Sequence, residues 1–241
     1  MNTMNRRRFA LCCAGLPAYL PAAQASQLSD AERREGWGLL FDGTTPAGWL
    51  EITGKPFPAN CWTIEDSCLK ALIGKDGFQD IRSAQTFRSF DLRFEWKLLK
   101  DGNSGVKYKI QKTDEWVNKE GRQARARGLE YQLADDTNDD AASDPRRVAG
   151  SLYSLIAPSP RVPPRIGVFN QSRIVVDGTR AEHWLNGRKV VSFATDEPAV
   201  AALLRAEMPK DDHGPVHEES PVSLQNHSSE TWFRNIRIRP L

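Results

Sequence analysis

The feature that most constrains the fold is a run at residues 90–98 in which apolar and polar side chains alternate without a break. Its apolar members are Phe90, Leu92, Phe94, Trp96 and Leu98. A period of two places all of them on one face of a β-strand, and a helix would scatter them. Similar short runs, bounded by turn residues, recur about every ten residues from position 37 onward, as is typical of an all-β sandwich or barrel.

A second strong signal is a pair of tight turns between residues 172 and 193. Asp177-Gly178 separates the first two alternating runs and Asn186-Gly187 separates the next two. Asn-Gly favours a two-residue hairpin because both residues tolerate the positive φ of a type I′ turn. The sequence therefore predicts a three-strand antiparallel meander in this region.

Further strands are predicted where apolar residues alternate or cluster between turn residues. They cover residues 39–41, 49–52, 61–64, 68–72, 105–110, 128–134, 151–157, 222–227 and 232–239. Residues 113–127 are polar and rich in arginine, and we interpret them as a solvated loop rather than an anion site. Residues 135–144 hold five aspartates. They lack the Glu at position twelve of an EF-hand loop, so a solvated acidic loop is favoured over a calcium site.

One segment has helical periodicity. Within residues 199–208, Val200, Leu203 and Leu204 fall on one face at helical spacing, which predicts a short amphipathic helix over the sandwich. Residues 209–221 follow it and show no strand pattern. We interpret this polar, proline-containing segment as a mobile flap near the cleft.

The N-terminus predicts export rather than a structural element. Residues 6–8 are three arginines, residues 10–20 form a short apolar run, and Ala23-Gln24-Ala25 resembles a cleavage site. Residues 1–25 are therefore predicted to be a signal peptide of the twin-arginine type, with an ordinary secretory signal as the alternative. The mature chain, residues 26–241, is expected to be a single periplasmic domain. No other apolar stretch approaches the roughly 18 residues of a membrane span.

Net charge limits the classes of partner molecule, and cysteine content limits the disulfides that the mature chain could form. The first 25 residues contain three arginines and no acids, so the 33 basic and 31 acidic side chains of the full chain become 30 and 31. A nearly neutral domain argues against nucleic acid or an anionic membrane as partner. Only Cys61 and Cys68 remain after cleavage. A hairpin turn at Asp66-Ser67 would place Cys61 opposite a residue beyond Cys68, which disfavours a disulfide but leaves their redox state open.

The strand at residues 128–134 carries the most informative polar pattern. Leu129, Tyr131 and Leu133 point to one face, and Glu130 and Gln132 point to the other. A half-buried strand with a solvated outer face would explain this pattern. A polar cleft on one face of the sheet would explain it equally well.

Several phrases in a fixed order resemble a known family. They are Leu40-Phe41-Asp42-Gly43 with Gly48-Trp49, Trp62-Thr63-Ile64-Glu65-Asp66, residues 90–96 with Gly102-Asn103-Ser104-Gly105-Val106, Gly128-Leu129-Glu130-Tyr131-Gln132, Leu152-Tyr153 before Ala157-Pro158, His183-Trp184-Leu185-Asn186-Gly187, and Leu224-Gln225-Asn226-His227 with Trp232-Phe233-Arg234-Asn235-Ile236. Together, over about residues 37–240, they resemble the 3-keto-disaccharide hydrolase family. The chain departs from the family pattern at Ser228-Ser229, where relatives often have two glycines after the histidine.

The resemblance implies a concanavalin-like jelly-roll sandwich of two antiparallel sheets, found in exported bacterial proteins that act on glycosides with a ketone at C3 of the sugar. It makes the Glu130 and Gln132 face the concave, functional one. Under it we expect His227 and His183 to act as base and acid in unassigned order, with Glu130 as orienting group or metal ligand. A divalent ion held by Glu130, His183 and His227 is an open alternative, and no spacing identifies it.

The same resemblance suggests which side chains hold the substrate. The expected substrate-binding residues are Gln132, Asn103, Asp135, Gln225 and Asn226. His213 and His217 flank Gly214-Pro215 and are interpreted as surface residues. Trp49, Trp96 and Trp232 lie within alternating apolar runs and are expected in the core rather than as sugar platforms.

The chemistry follows from the ketone. A carbonyl at C3 acidifies the C2 hydrogen, so a base removes it, the glycosidic oxygen leaves C1 by β-elimination, and water adds to the enone. This reaction needs a base, an acid and a stabiliser of the enolate. The alternative function is a non-catalytic, lectin-like carbohydrate-binding sandwich, because fold does not fix function. It would need solvent-facing aromatic residues on the concave face.

Overall fold

The structure, a computed structural model, describes residues 27–74 and 77–241. In this part of the chain two β-sheets pack face to face and bury one large apolar cluster to which both contribute. The predicted all-β jelly-roll sandwich is confirmed. The predicted signal peptide lies outside the described residues.

The larger sheet has eight strands and contains the predicted meander. Its strands are β1 (Gly38–Leu39), β3 (Trp62–Glu65), β4 (Cys68–Ala71), β7 (Phe90–Leu98), β10 (Asn170–Asp177), β11 (Arg180–Leu185), β12 (Arg188–Ala194) and β14 (Thr231–Pro240). They follow the order β12-β11-β10-β7-β14-β4-β3, with β1 added to β14. All of these pairs are antiparallel.

The smaller sheet has six strands. They are β2 (Trp49–Glu51), β5 (Gly77–Gln79), β6 (Ile81–Ser83), β8 (Asn103–Asn118), β9 (Gly121–Ala134) and β13 (Ser223–Leu224), in the order β2-β6-β13-β8-β9-β5. Only the pairing of β5 with β9 is parallel. Neighbours in this sheet come from distant parts of the chain, so its face combines residues that are far apart in sequence.

The apolar face predicted from residues 90–98 lies in the core, and Trp96 and Phe94 are almost fully buried there. Trp49 also lies in this core, as predicted. Trp232 is buried instead on the outer face of the larger sheet, where the ammonium groups of Lys70 and Lys97 lie over its ring. Across the sandwich, the rings of Phe94 and Tyr131 meet edge to face at 5.9 Å. Strand alternation therefore sets which residues of both sheets face inward.

The predicted amphipathic helix is confirmed as α3 (Pro198–Ala206), which buries Val200 and Leu204. Two shorter helices, α1 (Asp30–Arg34) and α2 (Asp139–Ser143), precede it. None of the helices among the described residues is long and apolar enough to cross a membrane.

The interpretation of residues 113–127 as a loop is wrong. This segment is the outer half of the β8–β9 hairpin, whose turn lies at residues 119–120. Residues 123–127 alternate arginine with small or neutral residues, and Ala124 and Ala126 are buried against Ile52 and Ile110. The alternation is a strand signal, which the high polarity of the segment obscured.

Two other predicted strands also differ from the structure. Residues 151–157 form turns with isolated bridges at Leu152 rather than a strand. The predicted strand at residues 222–227 is shorter, because β13 ends at Leu224 and the chain then enters a loop. Residues 135–144 contain α2 and are not wholly loop.

The two cysteines are free and buried. Glu65 pairs with Cys68, and the amide of Leu72 donates to the carbonyl of Cys61, so the predicted register is confirmed. Burial raises the pKa of each thiol to about 11. Both side chains are therefore neutral at ordinary pH.

Candidate active site on the smaller sheet

The alternation predicted for residues 128–134 is present in β9. Leu129, Tyr131 and Leu133 belong to the core, so Glu130 and Gln132 point away from it, to the outer face of the smaller sheet. These two residues lie opposite Lys107 and Gly105 of β8. The outer face of the smaller sheet therefore presents a polar cluster rather than an apolar one.

Gly105 makes room for the Glu130 side chain. A Cβ atom at position 105 would lie 2.8 Å from Cδ of Glu130, which is closer than real contacts allow. The carboxylate thus lies flat against the strand, and its side chain is only 14% exposed. A glycine in the middle of a strand normally weakens the sheet, and here close approach of a functional group accounts for it.

A buried ion pair lies beside Glu130. Lys107 Nζ is 3.4 Å from Oδ2 of Asp80 and 3.8 Å from Oε2 of Glu130, and it donates to the carbonyl oxygen of Ala126 at 3.1 Å. Asp80 is fully buried and also accepts from the backbone amides of Ala126 and Asn226. A buried charge needs such partners, so Asp80 fixes the ammonium group next to Glu130.

His227 lies in the loop after β13, next to Asn226, whose backbone amide donates to Oδ1 of Asp80. The preceding residue, Asn226, is fully buried and donates through Nδ2 to the carbonyls of Cys61 and Leu72. Its Oδ1 accepts from the amide of Ser228 at 3.2 Å. Asn226 thereby holds the loop that carries His227.

Glu130 and His227 are influenced by the same charged neighbours, Lys107, Arg125 and Asp80. Burial raises the pKa of Glu130, Lys107 lowers it and Asp80 raises it. Burial lowers the pKa of His227, and the positive charges of Arg125 and Lys107 lower it further. Shifted pKa values of this kind mark groups suited to proton transfer. At neutral pH the imidazole is uncharged and available as a base.

Amide and hydroxyl groups surround the two titratable side chains. The side-chain amides of Gln132 and Asn103 lie 3.1 Å apart. The Gln132 amide fits best with its nitrogen 3.3 Å from Oε1 of Glu130. Ser223 pairs with Lys107 across the sheet, and the backbone N–H of Gln225 donates to the carbonyl oxygen of Gly105. The side chains of Ser223 and Gln225 therefore lie on the outer face of the smaller sheet. Oγ of Ser223 and Oε1 of Gln225 are buried without a hydrogen-bond partner among the described residues.

The structure separates His183 from this cluster. His183 is fully buried between the sheets, where Tyr108 Oη lies 2.7 Å from Nε2 and the Gly150 carbonyl oxygen lies 3.0 Å from Nδ1. The hydroxyl donates to Nε2, and Nδ1–H donates to the carbonyl. Burial lowers the pKa of His183 to about 4. It is a neutral core residue with both nitrogens occupied, and the expectation of His183 as a catalytic acid or base is corrected here.

Two of the expected substrate-binding residues hold loops instead. Asp135 accepts from the amides of Asp101 and Thr137 and from the Thr137 hydroxyl, which occupies both carboxylate oxygens. Although burial alone would raise the pKa of Asp135, these bonds lower it. Asn226 is likewise committed to backbone groups. Neither side chain is free to bind a sugar.

Residues 36–239 match the model of the 3-keto-alpha-glucoside-1,2-lyase-like domain. The chain belongs to that family. A curated 3-keto-disaccharide hydrolase of Bacteroides thetaiotaomicron is 30% identical over 248 residues, which span 92% of this chain and 84% of that protein.

Solved structures agree on the fold of this family member. A protein of Parabacteroides distasonis named as a candidate glycosyl hydrolase aligns with a TM-score of 0.73 and 25% identity, covering 90% of this chain and 99% of that one. Another protein of the same organism and description aligns with a TM-score of 0.63 and 23% identity, covering 85% and 99%.

Three residues of the site in this 3-keto-alpha-glucoside-1,2-lyase-like domain were missed from the sequence. Lys107 had a usable signal, because alternation from Gly105 places it on the outer face beside the Glu130 strand. Arg125 was hidden by the interpretation of residues 113–127 as a loop. Asp80 had no signal, because it lies between two short strands and reaches Lys107 only in the folded sheet.

The three residues of the alternative metal site, Glu130, His183 and His227, are not brought together, because His183 lies in the core. Within residues 27–74 and 77–241 no three His, Cys, Asp or Glu side chains come close enough to hold an ion together. A cavity of about 370 Å³, which includes Trp184, lies on the outer face of the larger sheet instead. We place the candidate active site at Glu130 and His227 because both are influenced by Lys107, Arg125 and Asp80, and because the backbone amide beside His227 donates to Asp80.

Proposed function

We propose that this protein is a glycosidase-type enzyme that cleaves glycosides whose sugar ring carries a ketone at C3. Membership of the 3-keto-alpha-glucoside-1,2-lyase-like family and the name of the Bacteroides relative support this substrate class. The main support from the structure is the environment of Glu130 and His227. Both have shifted pKa values and both respond to the charges of Lys107, Arg125 and Asp80.

The proposed reaction is elimination followed by hydration. A base takes the proton from C2, and the electron pair of the C–H bond forms an enolate with the C3 oxygen. The enolate then re-forms the ketone and a C1–C2 double bond, which expels the aglycone oxygen from C1 as an acid protonates it. Water adds across the double bond, with hydroxyl to C1 and a proton to C2, so the sum is hydrolysis.

The site residues fit these roles. His227 is neutral at neutral pH and serves as the base, since its pKa lies below the usual imidazole value. Glu130, whose pKa is raised by burial, serves as the acid for the leaving oxygen. A carboxyl group whose pKa is raised by its surroundings is a common proton donor in enzymes. This assignment replaces the expected pairing of His227 with His183.

Lys107 supplies the positive charge that stabilises the enolate. The C3 oxygen gains negative charge when the enolate forms, and a fixed cation stabilises such a charge more than a mobile one, because it needs no reorganisation during the reaction. Asp80 holds the ammonium group in place at 3.4 Å. The unpartnered Oε1 of Gln225 and Oγ of Ser223 would accept hydrogen bonds from sugar hydroxyls.

We also propose that the enzyme works in the periplasm, after cleavage behind Ala25. Residues 6–25 support this through their basic, apolar and small-residue segments. Cell fractionation with N-terminal sequencing tests the proposal, and mature protein should begin at Ser26. An intact N-terminus in the cytoplasm would refute export without affecting the proposed chemistry.

Deuterium at C2 of a 3-keto-glucoside tests the reaction. Slow proton removal should give a primary isotope effect, and the reaction in deuterium oxide should place solvent deuterium at C2 of the released 3-keto sugar. The matched glucoside with a hydroxyl at C3 should be cleaved far more slowly. Equal cleavage of both substrates without exchange at C2 would exclude elimination. Binding of the sugar without any cleavage would favour the lectin-like alternative.

A further inference from the structure

A row of basic residues crosses the outer face of the larger sheet. Trp184 of β11 lies opposite Arg173 of β10, Arg173 lies opposite Arg93 of β7, and Arg93 lies opposite Arg237 of β14. Lys189 of β12 pairs with Trp184 at the other end of the row. Like charges directly opposite one another destabilise a sheet, so this arrangement requires compensating anions.

The carboxylates of the chain neutralise this row of arginines only in part. The fully buried Asp91 accepts a hydrogen bond from Arg173 Nε at 2.7 Å. Its Oδ2 atom makes longer contacts of 3.5 Å with Nη2 of Arg93 and with Nη2 of Arg239. One carboxylate therefore serves three guanidinium groups. Arg93 has no closer carboxylate among the described residues, its side chain is 46% exposed, and it stacks over Trp37 with a separation of 4.2 Å.

The other carboxylates on this face are already in use. Glu95 accepts from Arg234 at 2.8 Å, and Glu182 accepts from Lys189 at 3.0 Å and from the indole of Trp184 at 2.8 Å. Glu32 of α1 pairs with Arg237. An excess of positive charge thus remains around Arg93.

A cavity lies over this row. It has a volume of about 370 Å³ and its wall includes Arg93, Arg173, Arg237, Trp184, Gln171 and Asn235. Three arginines line it together with Glu95, which is held by Arg234. Arg173 and Arg237 are paired with Asp91 and Glu32, so Arg93 is the arginine of the wall with the longest carboxylate contact. The volume falls in the range of roughly 300–1,000 Å³ that is usual for small-molecule sites.

We propose that this cavity binds an anionic saccharide, a sugar unit bearing a carboxylate, sulfate or phosphate group. The guanidinium fork matches the paired oxygens of such anions and gives two parallel hydrogen bonds. The Trp184 ring supplies an aromatic wall of the kind that sugar rings contact. The side-chain amide of Gln171 adds a hydrogen-bonding group for hydroxyls.

This site is separate from the candidate active site. It lies on the outer face of the larger sheet, whereas Glu130 and Lys107 lie on the outer face of the smaller one, and the core of the sandwich separates the two faces. Binding there would hold the enzyme to an acidic glycan without using the catalytic groups. The inference therefore stands or falls independently of the proposed reaction.

Calorimetric titration with four probes tests the inference. Glucuronic acid and glucose 6-phosphate represent the carboxylate and phosphate forms, glucose is the neutral control, and sodium sulfate is the bare anion. We expect at least one acidic sugar to bind measurably, more tightly than glucose or sulfate, and to bind more weakly as ionic strength rises. Glu130→Gln should leave this binding unchanged.

Substitutions in the wall of the cavity test whether the acidic sugar binds there. Arg93→Gln should weaken binding of the acidic sugar roughly tenfold or more, the usual effect of losing a hydrogen bond to a charged group. Asn235→Asp places a negative charge in the cavity wall and should weaken it as well, while Arg88→Gln, at an exposed arginine away from the row, should not. The proposal is overturned if no acidic sugar binds, if sulfate or glucose binds as tightly, or if folded Arg93→Gln and Asn235→Asp proteins bind like the wild type.

Discussion

The carboxylate of Glu130 fills the space beside the Cα atom of Gly105 that any larger residue at position 105 would need. The two residues are diagonal neighbours on β8 and β9, because Gly105 pairs with Gln132 and Glu130 pairs with Lys107. This contact fixes where the candidate acid can stand, so the position of Glu130 depends on a residue that takes no part in the chemistry.

Gly105→Ala should therefore lower turnover by about one to two orders of magnitude, because a catalytic group displaced by an ångström loses that much rate. Gly38→Ala is the matched control, since its Cβ would lie 3.8 Å from the nearest neighbouring atom. Steady-state kinetics and thermal unfolding separate the effects. An alanine at position 105 that leaves turnover unchanged would show that Glu130 need not occupy this place.

Glu130→Gln and His227→Ala should each lower turnover by about two to four orders of magnitude, the usual range for loss of a general acid or base. His227 lies in a loop and is only partly buried, so the fold should survive its loss. His213→Ala, at an exposed histidine of the 209–221 segment, is the control and should be neutral. Wild-type turnover in His227→Ala would remove His227 from the mechanism.

The pH profile should be bell-shaped, with the position of each limb set first by burial and then by nearby charges. Activity should rise with pH through the pKa of His227, which lies below its ordinary value of 6.5, because the base must lose its proton. It should fall as pH rises through the pKa of Glu130, which lies above its ordinary value of 4.5, because the acid must keep its proton.

Arg125→Gln removes a positive charge that lowers the pKa of both groups. Both limbs of the profile should therefore move to higher pH, and Lys107→Met should move them in the same direction. Plots of kcat/KM against pH measure the shifts. Movement of the two limbs in opposite directions would mean that they report other groups.

His183→Gln should affect stability more than chemistry. Leaving the Tyr108 hydroxyl and the Gly150 carbonyl without good partners costs about 1–3 kcal/mol for each unsatisfied group. Urea unfolding measures the loss, and the folded fraction should keep most of its turnover. A fully stable but inactive His183→Gln protein would return His183 to the catalytic site.

His183 also predicts a pH dependence of stability. Its pKa falls from 6.5 in the unfolded chain to about 4 in the folded one, so the unfolded state binds the extra proton between these values. The stabilisation from neutral, buried His183 is fully present above pH 6.5 and is lost as pH falls towards about 4. Unfolding free energy should decline over this window more steeply in the wild type than in His183→Gln.

Much of this structure could be predicted from local patterns. Alternation placed Phe94 and Trp96 in the core, the Asn186-Gly187 turn set the register of the meander, and helical spacing identified α3. The outward direction of Glu130 and Gln132 also followed from alternation. The same rule applied to Ala181, His183 and Leu185 would have placed His183 with apolar neighbours facing inward. The motif resemblance outweighed that signal.

The sequence by itself determined the strands, the turns and the face on which each side chain lies, because these depend on backbone geometry over a few residues. Only the tertiary structure decided which distant residues share the site. Asp80, Lys107, Glu130 and the loop that carries His227 come from four separate segments and are brought together because β6, β13, β8 and β9 are neighbours in one sheet. That order is set by how both sheets bury their apolar faces together, and no local pattern records it.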